Sequence, residues 1–270
     1  MPKLSISRPV NNPLNNRRAA AMAPTRQCLA ARFCAAIFIA IIAMGAAPPV
    51  EPPVNHWQVV LIAGDTAQPV FDNAVKAVDL WLTEHGVARA DIHRLAASSA
   101  PRDPAVEPAT LDHVLRRIGG LRGRAGDGCF VFITSHGAHN LGIYLSREDE
   151  MLRPAALARA LATGCGAVPT VVVVSGCYSG SFARGAMRAP NRIVLTAARA
   201  DRPSFGCVAE RTYTVYDACL LGALPHATAW RGVFNETKDC VELRERELDA
   251  EPSHPQAWFG AAVRNLPLQF

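Results

Sequence analysis

Cys177 and His136 are the two residues of this chain whose types and positions suit nucleophilic chemistry. Cys177 lies in the glycine-rich segment 175–181 (SGCYSGS), which follows the apolar residues 170–174. His136 lies in a Ser-His-Gly sequence directly after another apolar run, residues 129–134. A thiol that attacks a carbonyl needs a partner that moves protons, and histidine supplies one. The pair predicts covalent catalysis with Cys177 as nucleophile and His136 as its acid and base.

Glycines beside both residues favour a site that a substrate can approach closely. Gly176 and Gly180 flank Cys177, and Gly137 follows His136. A residue without a side chain tolerates sharp bends and leaves its N–H uncovered. The N–H groups of Gly137 and Cys177 are therefore predicted to hold the oxyanion of a tetrahedral intermediate. A helix after Cys177 would also direct its positive dipole end at the sulfur and favour the thiolate.

The elements that must position these residues alternate between strands and helices. Apolar runs rich in β-branched residues predict strands, and apolar residues at helical spacing predict helices. The predicted strands cover residues 57–63, 91–95, 129–134, 142–145, 170–174 and 192–197, and the predicted helices cover residues 71–86, 111–120 and 153–164. Thr110 is expected to cap the second helix, and the charge-rich stretch 242–247 to form a solvated helix face. This order predicts an α/β fold with a mostly parallel sheet covered by helices on both faces, and sites form at the carboxyl ends of such strands.

The first fifty residues differ from the rest of the chain. They carry six of the 28 basic residues and no acidic residue, which leaves 22 basic and 23 acidic residues for the remainder. A domain this close to neutrality has no basic field, so nucleic acid is not expected as a partner. The uncharged run from Phe33 to Ala47, with basic residues before it and small residues after it, has the layout of a secretory signal peptide. We expect residues 1–49 to be a tail with a signal peptide and residues 50–270 to be one exported domain, periplasmic or secreted. Anchoring in the inner membrane by the apolar run is the alternative.

The paired motifs resemble those of the legumain-like cysteine peptidases, which have the caspase-like fold. In that family an apolar strand ends in His-Gly, and a later strand ends in Ala-Cys-x-Ser-Gly-Ser. Here the corresponding residues are His136-Gly137 and 176–181 (GCYSGS). The similarity reaches back to WQVVLIAG at residues 57–64 and forward through RIVLTAARADRPSFGC at residues 192–207. The resemblance implies a caspase-like three-layer sandwich.

The resemblance also implies an endopeptidase that acts through a thioester acyl-enzyme. Cys177 would attack the scissile carbonyl, and His136 would protonate the leaving amine and then help to activate water. The substrates would be peptides or proteins. The sequence contains no HExxH motif, no phosphate-binding GxxxxGK[ST] loop and no GxGxxG motif, so no metal or other cofactor is expected.

Two departures from the family concern the pocket for the residue before the cleaved bond. Asp72 stands where the family has an Arg, and Ser175 replaces an acidic residue two positions before the nucleophile. The resemblance places Ser204 and Asp217 among the substrate-binding residues as well. Two carboxylates, Asp72 and Asp217, would favour a basic residue, which Arg would satisfy with two parallel hydrogen bonds. A preference for Asn, as in legumains, and a broad specificity are the alternatives. Asp72 could instead simply cap the helix that it precedes.

Two other functions remain open at this point. A transamidase or ligase would form the same acyl-enzyme and pass it to an amine instead of water. A catalytically idle, exported binding module would keep the fold without the reaction, although the intact Cys177–His136 pair argues against it.

Six cysteines follow residue 50, and in an exported chain some of them are expected to pair. We expect one disulfide among Cys207, Cys219 and Cys240, which lie in a region with few apolar runs. Cys129 begins a predicted buried strand and is expected to be a free core thiol.

Overall fold

A computed structural model describes residues 54–98 and 103–270, so the predicted signal segment and its membrane-anchor alternative lie outside the described residues. The strands and helices have the following bounds in chain order: β1 His56–Ala63, α1 Pro69–Glu84, β2 Ile92–Ala96, β3 Val106–Pro108, α2 Leu111–Gly119, β4 Asp127–Thr134, β5 Gly137–Ala138, β6 Gly142–Leu145, β7 Glu150–Leu152, α3 Pro154–Gly164, β8 Thr170–Ser175, β9 Arg192–Thr196, α4 Val215–Ala223, α5 Trp230–Glu247 and β10 Gln256–Phe259. No helix within these two ranges is long and apolar enough to cross a membrane.

The described elements form one large and one small sheet. The large sheet has seven strands in the order β10-β9-β8-β4-β1-β2-β3. All neighbours in it are parallel except β10, which runs antiparallel to β9. The small antiparallel sheet, β5-β6-β7, follows the end of β4. The predicted mostly parallel sheet is therefore confirmed.

Helices cover the large sheet on both faces. Successive side chains of a strand point to opposite faces, so the strands contribute to two separate cores. On β1, Val59 and Leu61 pack with α1, α4 and α5, whereas Val60 and Ile62 pack with α2 and α3. This arrangement confirms the predicted α/β three-layer sandwich.

The predicted cap of α2 is confirmed, whereas the prediction of a wholly solvated stretch at residues 242–247 is not. The Thr110 hydroxyl accepts a hydrogen bond from the N–H of His113 at 3.2 Å, so Thr110 caps α2 as predicted. The stretch 242–247 ends α5, but it is not wholly solvated. Glu245 is only 2% exposed, and its carboxylate accepts hydrogen bonds from the N–H of Ser253 at 3.0 and 3.1 Å. The charge alternation did not reveal this tertiary contact.

Two disulfides join elements of the described chain. Cys219–Cys240 links α4 to α5, which confirms the expected disulfide in that region, and Cys207 remains a free thiol. The expectation that Cys129 is free is wrong, because it bonds Cys165. Cys129 faces the core beneath α2 and α3, where the end of α3 brings Cys165 to a Cα–Cα distance of 6.1 Å, within reach of a disulfide.

Candidate active site

One row of paired residues crosses the carboxyl ends of three neighbouring strands. Ala63 of β1 pairs with Thr134 of β4, and Thr134 pairs with Ser175 of β8. His136 and Cys177 each lie two residues beyond their member of this row. The sheet therefore brings the two residues predicted from the sequence to adjacent strand ends.

The segments that follow β4 and β8 are in close backbone contact. The N–H of Ser135 donates to the carbonyl of Ser175 at 3.1 Å, which extends the ladder by one residue. A Cβ atom on Gly137 would lie 2.0 Å from the carbonyl oxygen of Cys177, and one on Gly176 would lie 2.8 Å from the carbonyl oxygen of Ser135. Glycine at these two positions is what allows the segments to touch.

The turn after Cys177 differs from the expectation. Tyr178 adopts the left-handed region with a φ of 56°, and its N–H donates to the carbonyl of Arg202 at 2.8 Å. A five-residue 3₁₀ helix, Ser179–Ala183, follows instead of an α-helix. A helix this short offers little macrodipole, so the predicted dipole effect on the sulfur is not supported.

The Cys177 sulfur has a different polar neighbour, Ser204. The backbone N–H of Ser204 donates to Sγ at 3.3 Å, and the Ser204 hydroxyl lies 3.7 Å from Sγ. The thiol can also donate to the Ser204 carbonyl oxygen, which lies 3.5 Å from Sγ. Ser204, which the resemblance assigned to substrate binding, thus contacts the candidate nucleophile itself.

Cys207 is the other free thiol of the described residues, and it is poorly suited to attack. Burial, together with the nearby Cys177, Asp217 and Asp65, raises its pKa to about 12. A thiol with so high a pKa stays protonated at neutral pH and reacts slowly. Cys177 therefore remains the candidate nucleophile.

The His136 imidazole is partly exposed and contacts two residues from the region after β1. The edge of the Phe71 ring packs against it with 5.2 Å between ring centroids. The Asp65 carboxylate lies beside it, with 3.9 Å between Oδ2 and the His136 Nε2. The sequence analysis missed Asp65. The available signal was its position just past the apolar run 57–63, which matches the positions of His136 and Cys177 relative to their own strands.

The two predicted oxyanion donors are not used by the surrounding backbone ladder. The N–H of Tyr144 donates to the carbonyl of His136 at 2.9 Å, which marks these residues as a hydrogen-bonded pair of the small sheet. Such pairs alternate with non-bonded ones, so the next pair, Gly137 and Ile143, leaves the Gly137 N–H out of the ladder. Within the described residues the Cys177 N–H donates no backbone hydrogen bond either.

Asp217 and Ser175 lie beneath this site and not on its surface. Asp217 of α4 is 1% exposed, and its Oδ2 accepts a hydrogen bond from the Thr134 hydroxyl at 2.7 Å. Burial raises the pKa of Asp217 to about 6, although hydrogen bonds from Ser175, Thr134 and Thr214 act in the opposite direction. The second carboxylate oxygen, Oδ1, has no hydrogen-bond partner among the described residues.

Asp72 lies in the first turn of α1 and does not cap that helix. The N-cap residue is Gln68, so the capping interpretation of Asp72 is wrong. The Asp72 side chain is half-buried, and this burial raises its pKa while Lys76 lowers it. Helices α1 and α4 pack on the same face of the sheet and contact each other, which puts Asp72 and Asp217 on the same side of the molecule.

The two histidines of the HGAH sequence do not form part of a metal cluster. His139 packs edge-on against the Tyr178 ring, with 5.4 Å between centroids. Across residues 54–98 and 103–270, no group of three or more His, Cys, Asp or Glu side chains is arranged to hold a metal ion.

Comparison with known families supports the resemblance seen in the sequence. Residues 114–230 match the model of the Peptidase C13 family, the legumain family. The C13 match contains His136 and Cys177, and it confirms the resemblance to legumain-like cysteine peptidases. It leaves out β1 and α1, so Asp65 and Asp72 lie outside it.

The fold is caspase-like, as the resemblance implied. Caspase-1 from Spodoptera frugiperda has a similar structure with a TM-score of 0.54 and 10% sequence identity, over 79% of this chain and 92% of the caspase-1 chain. At that identity the likeness concerns the fold alone. No curated protein matches the chain. The C13 match and the caspase-like fold together support a cysteine-peptidase type of function.

Proposed function

We propose that this chain is a cysteine endopeptidase with Cys177 as nucleophile and His136 as its acid and base. The observation that carries the proposal is the placement of both residues two positions beyond the paired residues Thr134 and Ser175. Parallel strands with this register deliver their following side chains to one edge of the sheet. The backbone of Ser204 contacts the sulfur both as donor and as acceptor, which orients the Cys177 side chain.

The reaction begins when Cys177 gives its thiol proton to His136 and its sulfur attacks the scissile carbonyl carbon. The N–H groups of Gly137 and Cys177 donate to the resulting oxyanion. The C–N bond then breaks as His136 gives a proton to the leaving amine, which leaves a thioester on Cys177. His136 next takes a proton from a water molecule that attacks the thioester. The C–S bond breaks, the carboxylic acid leaves, and His136 returns its proton to the Cys177 sulfur, which restores the thiol.

The proposed substrate preference is a basic residue before the cleaved bond. It is supported by Asp217, a buried carboxylate beneath the site whose Oδ1 has no hydrogen-bond partner among the described residues. Its negative charge would attract the Arg or Lys side chain of a substrate through the protein interior, without direct contact. Asp72, which is half-buried on the helix that packs beside α4, would be the acidic group that contacts the basic side chain.

We also propose that the protein is exported. The basic, apolar and small residues of the N-terminal tail form the pattern of a signal peptide. The disulfides Cys129–Cys165 and Cys219–Cys240 support the proposal, because such bonds persist in oxidising compartments.

Labelling with a peptidyl electrophile tests the proposed function. The full chain is treated with a peptidyl acyloxymethyl ketone that carries Arg next to the electrophile, and the adduct is located by peptide mapping. We expect the adduct on Cys177, none on Cys207, and none after Cys177→Ala. A folded wild-type protein that takes up no label would favour the idle binding module. Incubating the enzyme with a peptide and an excess of a nucleophilic amine separates hydrolysis, which releases an acid, from transamidation, which releases an amide.

A further inference from the structure

Asp65 stands in the same structural relationship to β1 as His136 does to β4 and Cys177 to β8. It lies two residues beyond Ala63, the β1 member of the row that crosses the three strand ends. In the large sheet β4 lies between β1 and β8. The three side chains therefore follow adjacent strands, with His136 in the middle. A nucleophile, a histidine and a carboxylate thus occur in line along one edge of the sheet.

The Asp65 carboxylate is buried and is held on one side only. The residue is 5% exposed, and its Oδ1 accepts a hydrogen bond from the N–H of Ala67 at 2.9 Å. Its other oxygen, Oδ2, lies 3.9 Å from Nε2 of His136. In the described part of the chain, Asp65 is the only carboxylate within ion-pair distance of that imidazole. The turn at Ala67 fixes the carboxylate while Oδ2 remains directed at the histidine.

We propose that Asp65 is a positioning residue that sets the tautomer and the orientation of His136; this inference rests on the proposed function. A carboxylate beside Nε2 favours the proton on that nitrogen and leaves Nδ1 to exchange a proton with Cys177. At 3.9 Å the resting contact is longer than a hydrogen bond, so it is electrostatic. When Cys177 gives its proton to His136, the new imidazolium attracts the carboxylate, and catalytic hydrogen bonds often tighten at this stage.

The other groups around His136 are less suited than Asp65 to orient the imidazole. Phe71 packs on the ring and supplies no charge. The other titratable groups in this region are Cys177, Cys207 and Asp217. Cys207 interacts electrostatically with Cys177, Asp217 and Asp65. Tyr144 of β6 also senses the Asp65 charge, but its hydroxyl donates to Asp149. Asp217 is engaged with Thr134, as described above.

The replacement of Asp65 by Asn separates positioning from simple structural support. Asn keeps one oxygen that can accept the N–H of Ala67, so the turn is preserved. The NH2 group that then faces Nε2 donates a hydrogen bond and cannot accept one, so it favours the opposite tautomer of His136. The matched control is Asp91→Asn, because Asp91 pairs with Nε2 of His56 at 3.0 Å, at the beginning of β1 and away from the site. Asp65→Ser, whose hydroxyl can also accept from Ala67, provides a second variant if Asp65→Asn does not fold.

Two readouts on the full chain decide the matter: peptide hydrolysis, and alkylation of Cys177 by iodoacetamide followed site by site with mass spectrometry. We expect Asp65→Asn to lower kcat by about 10²–10⁴-fold with little change in KM. At pH 6 the alkylation rate of Cys177 should fall at least about tenfold, because the imidazolium that pairs with the thiolate loses the carboxylate that stabilises it. Asp91→Asn should match the wild type in both assays.

A wild-type kcat and a wild-type alkylation profile in folded Asp65→Asn, or in Asp65→Ser, would overturn the role of Asp65. If kcat falls while the alkylation profile stays the same, the residue serves the structure only, and the inference is also wrong. The proposed function fails separately, through a Cys177→Ala variant that keeps its activity.

Discussion

The carboxylate of Asp217 accepts a hydrogen bond from the Thr134 hydroxyl at 2.7 Å, beneath the strand ends that carry His136 and Cys177. Thr134 and Ser175 are paired strand residues that lie two positions before His136 and Cys177. Both interact with Asp217. A buried carboxylate therefore underlies the site, and its charge state should affect both the stability and the substrate preference of the protein.

The pH dependence of stability should carry a contribution from Asp217. Burial raises its pKa to about 6 in the folded state, above the ordinary value of an unfolded carboxyl group. The folded protein then binds the proton more readily, so this contribution is fully present below about pH 4 and is lost as the pH rises through about 6. The free energy of unfolding of the wild type, relative to Asp217→Asn, should fall by roughly 2 kcal/mol between these limits.

Denaturant titrations at pH 4, 5, 6 and 7 measure this difference. The control is Asp91→Asn, which removes a less buried carboxylate, so its difference from the wild type should change less over the same range. A constant difference between the wild type and Asp217→Asn from pH 4 to 7 would show that the Asp217 carboxylate titrates normally.

The proposed acidic pocket predicts the order of cleavage among matched peptides. Peptides that differ only before the scissile bond, with Arg, Asn or Asp, should be cleaved fastest after Arg. Asp72→Asn should lower kcat/KM for the Arg peptide by about tenfold or more, since a charge-assisted hydrogen bond contributes about 1.5–3 kcal/mol. Asp217→Asn should also lower it, because the variant removes the negative charge beneath the site. Cleavage after an uncharged residue should survive in both variants. Faster cleavage after Asn than after Arg would remove the acidic-pocket hypothesis.

The disulfide between α4 and α5 should contribute to the stability of the fold. It closes a loop with a sequence separation of 21, for which the entropy of the unfolded chain predicts about 3 kcal/mol. The double variant Cys219→Ala/Cys240→Ala should lose roughly that much free energy of unfolding, whereas Cys207→Ala should lose less. Peptide mapping without reduction that finds Cys219 and Cys240 as free thiols would contradict the assignment.

Export predicts a mature chain that begins near Pro48. Cleavage of the signal peptide removes its basic and apolar residues from the mature chain. The small residues before Pro48 suit the cleavage site. N-terminal sequencing of protein from the organism that makes it measures this directly. An intact Met1 or Met22 on soluble cytosolic protein would refute export.

The sequence was sufficient for those features that depend on local pattern. Apolar runs identified β1, β4, β8 and β9, and the short arm at residues 142–145 was correctly placed as β6. The order of the motifs within these strands led to His136 and Cys177. Helix α5 was recognised only at its charge-rich end, and its Glu245 was mistaken for a surface residue because burial there depends on Ser253, which lies outside the helix.

The features that the sequence did not reveal depend on tertiary contacts. Cys129 pairs with Cys165 because α3 packs its end against β4, which no local pattern encodes. The contact of Ser204 with the Cys177 sulfur arises from a loop that returns to the site 27 residues later. Asp65 had the right position after its strand, but a single carboxylate after a glycine is common at strand ends, and only the sheet order places it beside His136.

The central claim is that Cys177 is the nucleophile, and the direct measurement is kcat/KM for peptide cleavage by Cys177→Ala beside Cys207→Ala. Both variants remove a free thiol from the same region, and circular dichroism checks that both are folded. Loss of covalent catalysis should lower kcat/KM of Cys177→Ala by at least about 10³-fold. Cys207→Ala should cleave like the wild type, because burial keeps the Cys207 thiol protonated. Wild-type cleavage by folded Cys177→Ala, together with loss of activity in Cys207→Ala, would contradict the assignment.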